Sequence, residues 1–391
     1  MAFSGPAFEP LPEDADTAAL AGRVFDPSVQ GPCVVVLREE NLVDISATVA
    51  TVRDLCEADD LAKLVRSANG RPLGSLNDIL KNTPREDRDR GKPWLLAPID
   101  LQAIKAAGVT FVVSMLERVI EEQARGDPAR ATEIRSEITT TIGDDLRKLR
   151  PGSEQAKALK DLLIRRKMWS QYLEVGIGPD AEVFTKAQPM SAVGHLAEAG
   201  LHPGSAWNNP EPEVAMVVSS RGRIVGATLG NDVNLRDFEG RSALLLGKAK
   251  DNNASAALGP FIRFFDEGFS LDDVRNAELR LTVEGSDGFR LRGASDMSRI
   301  SRDPEDLVRQ TIGSNHQYPD GLVLYLGTMF APTEDRGAPG QGFTHKLDDV
   351  VTVESPRLGR LTNVMVQTSD AEPWTFGTGA LMRNLAKRGL I

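Results

Sequence analysis

The sequence predicts a β-rich α+β fold, a mixed rolled or barrel-like sheet with a small N-terminal α+β domain and a helical insertion. Three observations carry this. From about residue 182 onward, short apolar runs such as 214–218, 224–229, 279–283 and 321–326 are separated by turn-forming residues, which suits many short strands better than a doubly wound sheet. Residues 118–172 are instead highly charged and helical in composition, with Glu121, Glu122, Arg125 and Arg130 among the charges that suit solvated faces and intrahelical pairs. The first 92 residues mix both patterns.

At 391 residues the chain can bury a large core and hold two domains, or one large domain with a small one appended. The division falls between 1–92, the small α+β unit, and 93–391, the larger unit with its helical excursion at 118–172. Apolar residues make up 41% and charged residues 26%, ordinary values for a soluble globular protein. A net charge of −10 lacks the basic footprint that phosphate-backbone binding requires, so nucleic acid is excluded as a partner. The two cysteines, Cys33 and Cys56, make no disulfide framework and have no metal-ligand spacing, which fits a reducing cytoplasm. Residues 1–16 are acidic and proline-bearing, without the basic-then-apolar order of a targeting peptide. No apolar run approaches the ~18 residues needed to span a bilayer, so a cytoplasmic protein with no membrane partner is expected.

In chain order, 32–37 and 42–45 read as paired strands around a turn at 38–41, and 55–68 and 76–80 read as helices by apolar spacing. A charged, turn-rich connection covers 83–92. Small and β-branched residues make 107–113 a strand. Ser114, with Glu117 three residues on, forms a capping-box pattern for the next helix, so Glu117 reads first as a cap partner. Pro151-Gly152-Ser153 opens a further helix running to about residue 172, placed to cover or border a site. Residues 182–186 form a short strand, and 189–204 a loop whose His195 and His202 read as loop hydrogen-bonding groups. The runs 279–283 and 288–291 pair around Ser286-Asp287-Gly288. A helix follows at 303–312, a buried strand at 321–326, and a closing hairpin at 349–354 and 359–366.

The chemistry concentrates between Trp207 and Asp232. Glu211 and Glu213 flank Pro212 ahead of an apolar run, and positions i and i+2 of a strand share one face, roughly 6.5–7 Å apart. A turn at Ser220-Arg221-Gly222 and a second apolar run return Asp232 to the end of the sheet where the glutamates lie. Three oxygen ligands on one sheet edge, with room for water or substrate, are what Mg²⁺ or Mn²⁺ prefers. The same residues also suit a solvated strand end that keeps the edge soluble. The sequence has no phosphate-binding loop, no dinucleotide glycine fingerprint and no nucleophile elbow. Its four histidines, His195, His202, His316 and His345, lack zinc spacing.

Residues 207–260 (WNNPEPEVAMVVSSRGRIVGATLGNDVNLRDFEGRSALLLGKAKDNNASAALGP) resemble the fumarylacetoacetate hydrolase superfamily. The paired glutamates, Asn231-Asp232 followed by Arg236-Asp237, then Ala249-Lys250 and Leu258-Gly259-Pro260, fall in that family's order. The likeness extends from about Leu95 to the C-terminus. Within the superfamily the chain is similar to the 2-keto-3-deoxypentonate dehydratases, marked by Pro210-Glu211-Pro212-Glu213 and by Asp237-Phe238-Glu239-Gly240. The resemblance implies the sheet of the fumarylacetoacetate hydrolase C-terminal type and a Mg²⁺ cofactor, with Mn²⁺ as a substitute, held by Glu211, Glu213 and Asp232. It implies an active-site lysine at Lys250 and a substrate contact at Thr328. Lys186 is either a further substrate-binding residue or a plain strand-end lysine, and Arg236 and Glu239 either bind substrate hydroxyls or pair with each other. Glu117 falls where the family's lid carries a catalytic glutamate. Hydrolases of the family place a histidine three residues before that glutamate, where this chain has Ser114. Without a His–Glu pair to activate water, hydrolysis gives way to elimination.

The implied reaction removes water from a 2-keto-3-deoxypentonate of the D series, derived from D-xylonate or D-arabinonate, and yields 2,5-dioxopentanoate in oxidative pentose degradation. A 2-keto acid can chelate a divalent cation through its carboxylate and keto oxygens, which stabilises the enolate formed as C3 loses a proton. Loss of the C4 hydroxyl and tautomerisation follow. Glu117 and Lys250 are the expected proton carriers, in either order. An acylpyruvate- or fumarylpyruvate-type C–C hydrolase, or a non-catalytic protein that binds metal and keto acid, is the other function this fold accommodates. A homodimer or homotetramer is the expected assembly.

Overall fold

The structure is a computed structural model that describes residues 3, 8–111, 115, 119–120, 124, 150–165, 169–330, 332, 334–337 and 342–391. In chain order its strands are β1 (Leu20–Asp26), β2 (Gly31–Arg38), β3 (Asn41–Asp44), β4 (Arg71–Ser75), β5 (Trp94–Leu96), β6 (Ala103–Gly108), β7 (Glu182–Ala187), β8 (Glu198–Leu201) and β9 (Asn208–Asn209). They continue as β10 (Pro212–Val218), β11 (Ile224–Asp232), β12 (Asn234–Leu235), β13 (Ala256–Phe264), β14 (Glu278–Glu284), β15 (Arg290–Asp296), β16 (Leu322–Tyr325), β17 (Val350–Ser355) and β18 (Gly359–Gln367).

An 11-stranded mixed sheet runs β4-β3-β2-β1-β13-β11-β10-β16-β6-β7, with β5 added to β1, and a 5-stranded sheet runs β15-β14-β17-β18-β8. The large sheet is not a closed barrel: its order ends at β4 and β7 among the described residues. Most pairings are antiparallel; β16 with β6 and β18 with β8 are parallel. Because β1 is hydrogen-bonded to β13, a boundary at residue 92 passes through one continuous sheet.

The hairpin of β10 and β11 sits near the centre and shows why the sheet packs on both sides. Successive side chains of a strand point to opposite faces. Val214, Met216 and Val218 join Leu279, Leu281, Val351 and Val353 in the core between the two sheets. Ala215 and Val217 turn the other way, onto Tyr325, Ile104, Val52 and Leu55 beneath the helices Val52–Glu57 and Leu61–Ser67. Burial on both faces explains the unbroken apolar run, and each such Val or Met stabilises the fold by about 1.5–3 kcal/mol.

Local backbone chemistry accounts for the departures from the predicted elements. The helix expected at 55–68 is two helices, because the Asp60 side chain accepts from the Lys63 amide and starts a new one. The strand expected at 107–113 lies at Ala103–Gly108 and ends where Val109 takes a φ of 56°. Within the stretch expected to be one helix reaching residue 172, the described residues form a helix at Glu154–Arg165, and Ser170 caps a second one, Gln171–Ile177. β1 carries no clear alternation because Gly22 leaves room for the Phe261 ring and Arg23 is buried. The loop expected at 189–204 contains β8, and a helix, Thr378–Lys387, closes the chain. Ser114 and Glu117 lie outside the described residues.

Candidate metal centre

Glu211, Glu213 and Asp232 are buried, and each offers a carboxylate oxygen such that all lie within 4.8 Å of one another. Strand register brings them together. The Asp232 amide donates to the Glu211 carbonyl at 3.0 Å, which sets these two residues opposite each other. Glu213, two residues on, faces Gly230 across the hairpin. The Glu211 amide donates to Asn231 Oδ1 at 3.1 Å and holds the strand start in register.

Two lysines meet this cluster. Lys250, the last residue of the helix Leu246–Lys250, places its Nζ 2.6 Å from Glu211 Oε2 and 3.2 Å from Asp232 Oδ2. Lys186, on β7, lies 2.7 Å from Asp232 Oδ1. Burial alone would raise the Asp232 carboxyl, but the two ammonium groups outweigh it and hold the group below its usual range. Burial, with the charges of Asp232 and Glu211 alongside, pushes Glu213 well above that range.

Residues that the sequence reading did not single out complete the cluster. The Tyr325 ring packs over Gly230, where any Cβ would collide with it, and its hydroxyl donates to the Ala257 carbonyl at 2.7 Å. Burial, then the nearby charges of Asp232 and Glu213, push its phenol well above the usual value. The Gly327 amide donates to Glu213 Oε2 at 2.7 Å. Gly327 has a φ of 85° and no room for a side chain beside Thr110. Its neighbour Thr328 is buried, with Oγ1 accepting from the Phe330 amide at 3.1 Å. The Gly-Thr pair was a visible signal in the sequence. The tyrosine had none beyond its place in a buried strand.

Arg236 opens the buried helix Arg236–Arg241, stacks 4.3 Å from the Trp207 ring centroid and donates to the Pro332 carbonyl at 3.2 Å. Glu239, on the same helix, is buried, and its carbonyl accepts from the Tyr172 hydroxyl at 3.5 Å. The helical excursion therefore touches the segment that follows the metal-ligand hairpin. His195 Nδ1 accepts from the Thr362 amide at 3.0 Å, and His202 Nδ1 from the Gly204 amide at 3.0 Å, so both make the loop hydrogen bonds expected of them.

The donor set fits a hard divalent cation. All three candidate ligands are carboxylates, the preferred donors of Mg²⁺ and Mn²⁺. They are removed from water, where uncompensated negative charge is costly, and burial together with the charges of Asp232 and Glu211 raises the Glu213 carboxyl against the opposing charge of Lys250.

Residues 175–366 match the family described as Fumarylacetoacetate (FAA) hydrolase C-terminal. A 2-dehydro-3-deoxy-D-arabinonate dehydratase of Saccharolobus solfataricus is 33% identical over 183 residues, which cover 46% of this chain and 57% of that relative. A probable 2-keto-3-deoxyxylonate dehydratase of Haloferax volcanii is 26% identical over 326 residues, covering 83% of this chain and 92% of the relative. Among solved structures, a 2-keto-3-deoxy-D-arabinonate dehydratase complexed with magnesium and 2,5-dioxopentanoate shares the fold with a TM-score of 0.57 at 20% identity, over 89% of this chain and 98% of that one.

Proposed function

We propose, for a chain whose residues 175–366 belong to the fumarylacetoacetate hydrolase C-terminal family, a metal-dependent hydro-lyase that removes water from a 2-keto-3-deoxypentonate and releases 2,5-dioxopentanoate. The observation that carries this is the buried meeting of Glu211, Glu213 and Asp232 with the Lys250 ammonium. A bound Mg²⁺ or Mn²⁺ would supply a Lewis acid for the keto oxygen of the substrate. Glu211, Glu213 and Asp232 would hold it. Lys250 supplies a proton-bearing group at the same point, and Glu117 is the second proton carrier in this reading. Thr328, next to the amide that fixes Glu213, and Arg236, seated on Trp207, are the proposed substrate contacts. The names of the relatives, and the magnesium and 2,5-dioxopentanoate in one solved neighbour, support the same reaction class. Ser114, where hydrolases of the family place histidine, supports elimination over hydrolysis.

The deciding assay incubates the protein with synthetic 2-keto-3-deoxypentonates of the D series, with and without EDTA, and follows the semialdehyde. Product that disappears with EDTA is the expected result. No turnover, or cleavage to pyruvate-type fragments, would sink the reading.

A further inference from the structure

The ammonium of Lys186 is surrounded by protein acceptors. Asp232 Oδ1 and the Lys250 carbonyl each lie 2.7 Å away, the Val233 carbonyl 3.1 Å and Ser255 Oγ 3.2 Å. An ammonium has three N–H donors, and this side chain is 0% exposed, so nothing of it is left over for a substrate. The acceptors belong to separate stretches: the end of β11, the last carbonyl of the helix that carries Lys250, and the turn leading into β13. Ser255 Oγ reinforces the same point by donating to the Lys250 carbonyl at 2.8 Å. Asp232 gives one oxygen to Lys186 and the other to Lys250. One buried cation thus grips both sides of the Lys250–Asp232 contact.

We propose that Lys186 is a positioning residue, whose ammonium fixes the Asp232 carboxylate and the helix end bearing Lys250, in place of the substrate contact or plain strand-end lysine between which the sequence left it. The inference rests on Glu211, Glu213 and Asp232 being metal ligands. Two effects oppose each other when the ammonium is removed. Losing a cation near a dication relieves repulsion and tightens metal binding. Losing the grip on Asp232 leaves a buried carboxylate oxygen without its partner, so the carboxylate turns or takes up a proton, and the helix end of Lys250 is freed with it. Removing a group that orients a metal ligand commonly costs about 10–100-fold in metal affinity or activity, so the second effect is expected to win.

The test titrates Mn²⁺ into the metal-stripped full chain without substrate, by calorimetry and electron paramagnetic resonance, for wild type, Lys186→Met and Ser255→Ala, with circular dichroism to check folding. Lys186→Met should weaken Mn²⁺ binding about 10–100-fold and alter the Mn²⁺ spectrum, with a smaller change in the same direction for Ser255→Ala. At saturating Mn²⁺, kcat should fall while KM stays near the wild-type value. Unchanged or tighter binding with an unaltered spectrum, or a raised KM at constant kcat, would overturn the proposal. If Lys186→Met does not fold, Ser255→Ala decides by the same readings. A wild type that binds no Mn²⁺ overturns the metal assignment and this inference with it. A wild type that binds Mn²⁺ but leaves the keto acid unchanged refutes only the dehydratase reading, and affinity and spectrum still judge Lys186.

Discussion

Lys250 Nζ lies 2.6 Å from Glu211 Oε2, so the residue proposed to carry a proton and a residue proposed to hold the metal form one buried ion pair. A cation arriving at Glu211 must share that oxygen with the ammonium. Lys250→Met should therefore fold and lose about 10²–10⁴-fold in kcat, the range for a proton-transfer group, while Mg²⁺ affinity holds or rises. Calorimetry beside turnover checks this; a loss of Mg²⁺ affinity that fully accounts for the fall in kcat would make Lys250 a support of the site.

Metal bound only by the native state adds to its stability by mass action, about 2.7 kcal/mol at a hundred times Kd. Mg²⁺ should raise the thermal midpoint of the wild type in proportion to the logarithm of its concentration, and EDTA should cancel the rise. Glu211→Gln should show no such rise. A wild-type midpoint that ignores Mg²⁺ would contradict the assignment of the three carboxylates.

Gly230 faces Glu213 across the hairpin and lies under the Tyr325 ring, which is tethered through its hydroxyl to the Ala257 carbonyl. The added methyl of Gly230→Ala has nowhere to go, and overpacking of this kind costs about 1–3 kcal/mol. Urea unfolding should show a loss of that size, with weaker Mg²⁺ binding as the strand moves away from its register with Glu213. Tyr325→Phe keeps the ring and should lose only the hydrogen bond, about 0.5–1.5 kcal/mol. Full stability in Gly230→Ala would show that the ring is free to yield.

His345 is buried with Nδ1 3.0 Å from Asp349 Oδ2, and Arg336 binds the same carboxylate. Burial outweighs the pull of Asp349 and keeps the imidazole below its ordinary value of 6.5. Between the folded value and 6.5 the unfolded chain holds more protons than the native one, so stability is full above this window and falls as pH drops through it. Burial opposes the lowering of Asp349, but His345 and Arg336 prevail, and this adds a further loss as pH falls below 3.8. Urea midpoints taken from about pH 7.5 to about pH 5 should decline for the wild type and decline less for His345→Gln. A wild-type midpoint constant over that range would refute the assignment.

Much of the site was legible because it depends on short-range rules. The apolar runs at 214–218 and 224–229 and the turn at 220–222 define a hairpin, and a hairpin returns Asp232 to Glu211 whatever the rest of the chain does. Tyr325 was beyond such rules, and Gly327 was visible as half of the Gly-Thr pair but not as the donor to Glu213. They meet the cluster because β16 pairs with the outer edge of β10, a contact made far along the chain that local patterning does not encode. Lys186 was read as a strand-end lysine or a substrate contact for the same reason: its acceptors come from residues 232–255, and only the packed structure brings them to β7. The broken helix at 58–60 was legible in principle, since Asp60 is a good cap, but apolar spacing alone runs across it.

The place of β16 between β10 and β6 also sets the order in which a newly made chain can finish this sheet. Synthesis delivers Glu211, Asp232 and Lys250 well before residues 322–325, yet the amide that fixes Glu213 belongs to Gly327, just behind that strand. Until it emerges from the ribosome, the facing edges of β10 and β6 are both unpaired, and open edges recruit other chains. The cluster is thus among the last parts of the sheet to close during biosynthesis. A fragment ending ahead of β16 should self-associate in sedimentation instead of binding Mg²⁺ as a monomer.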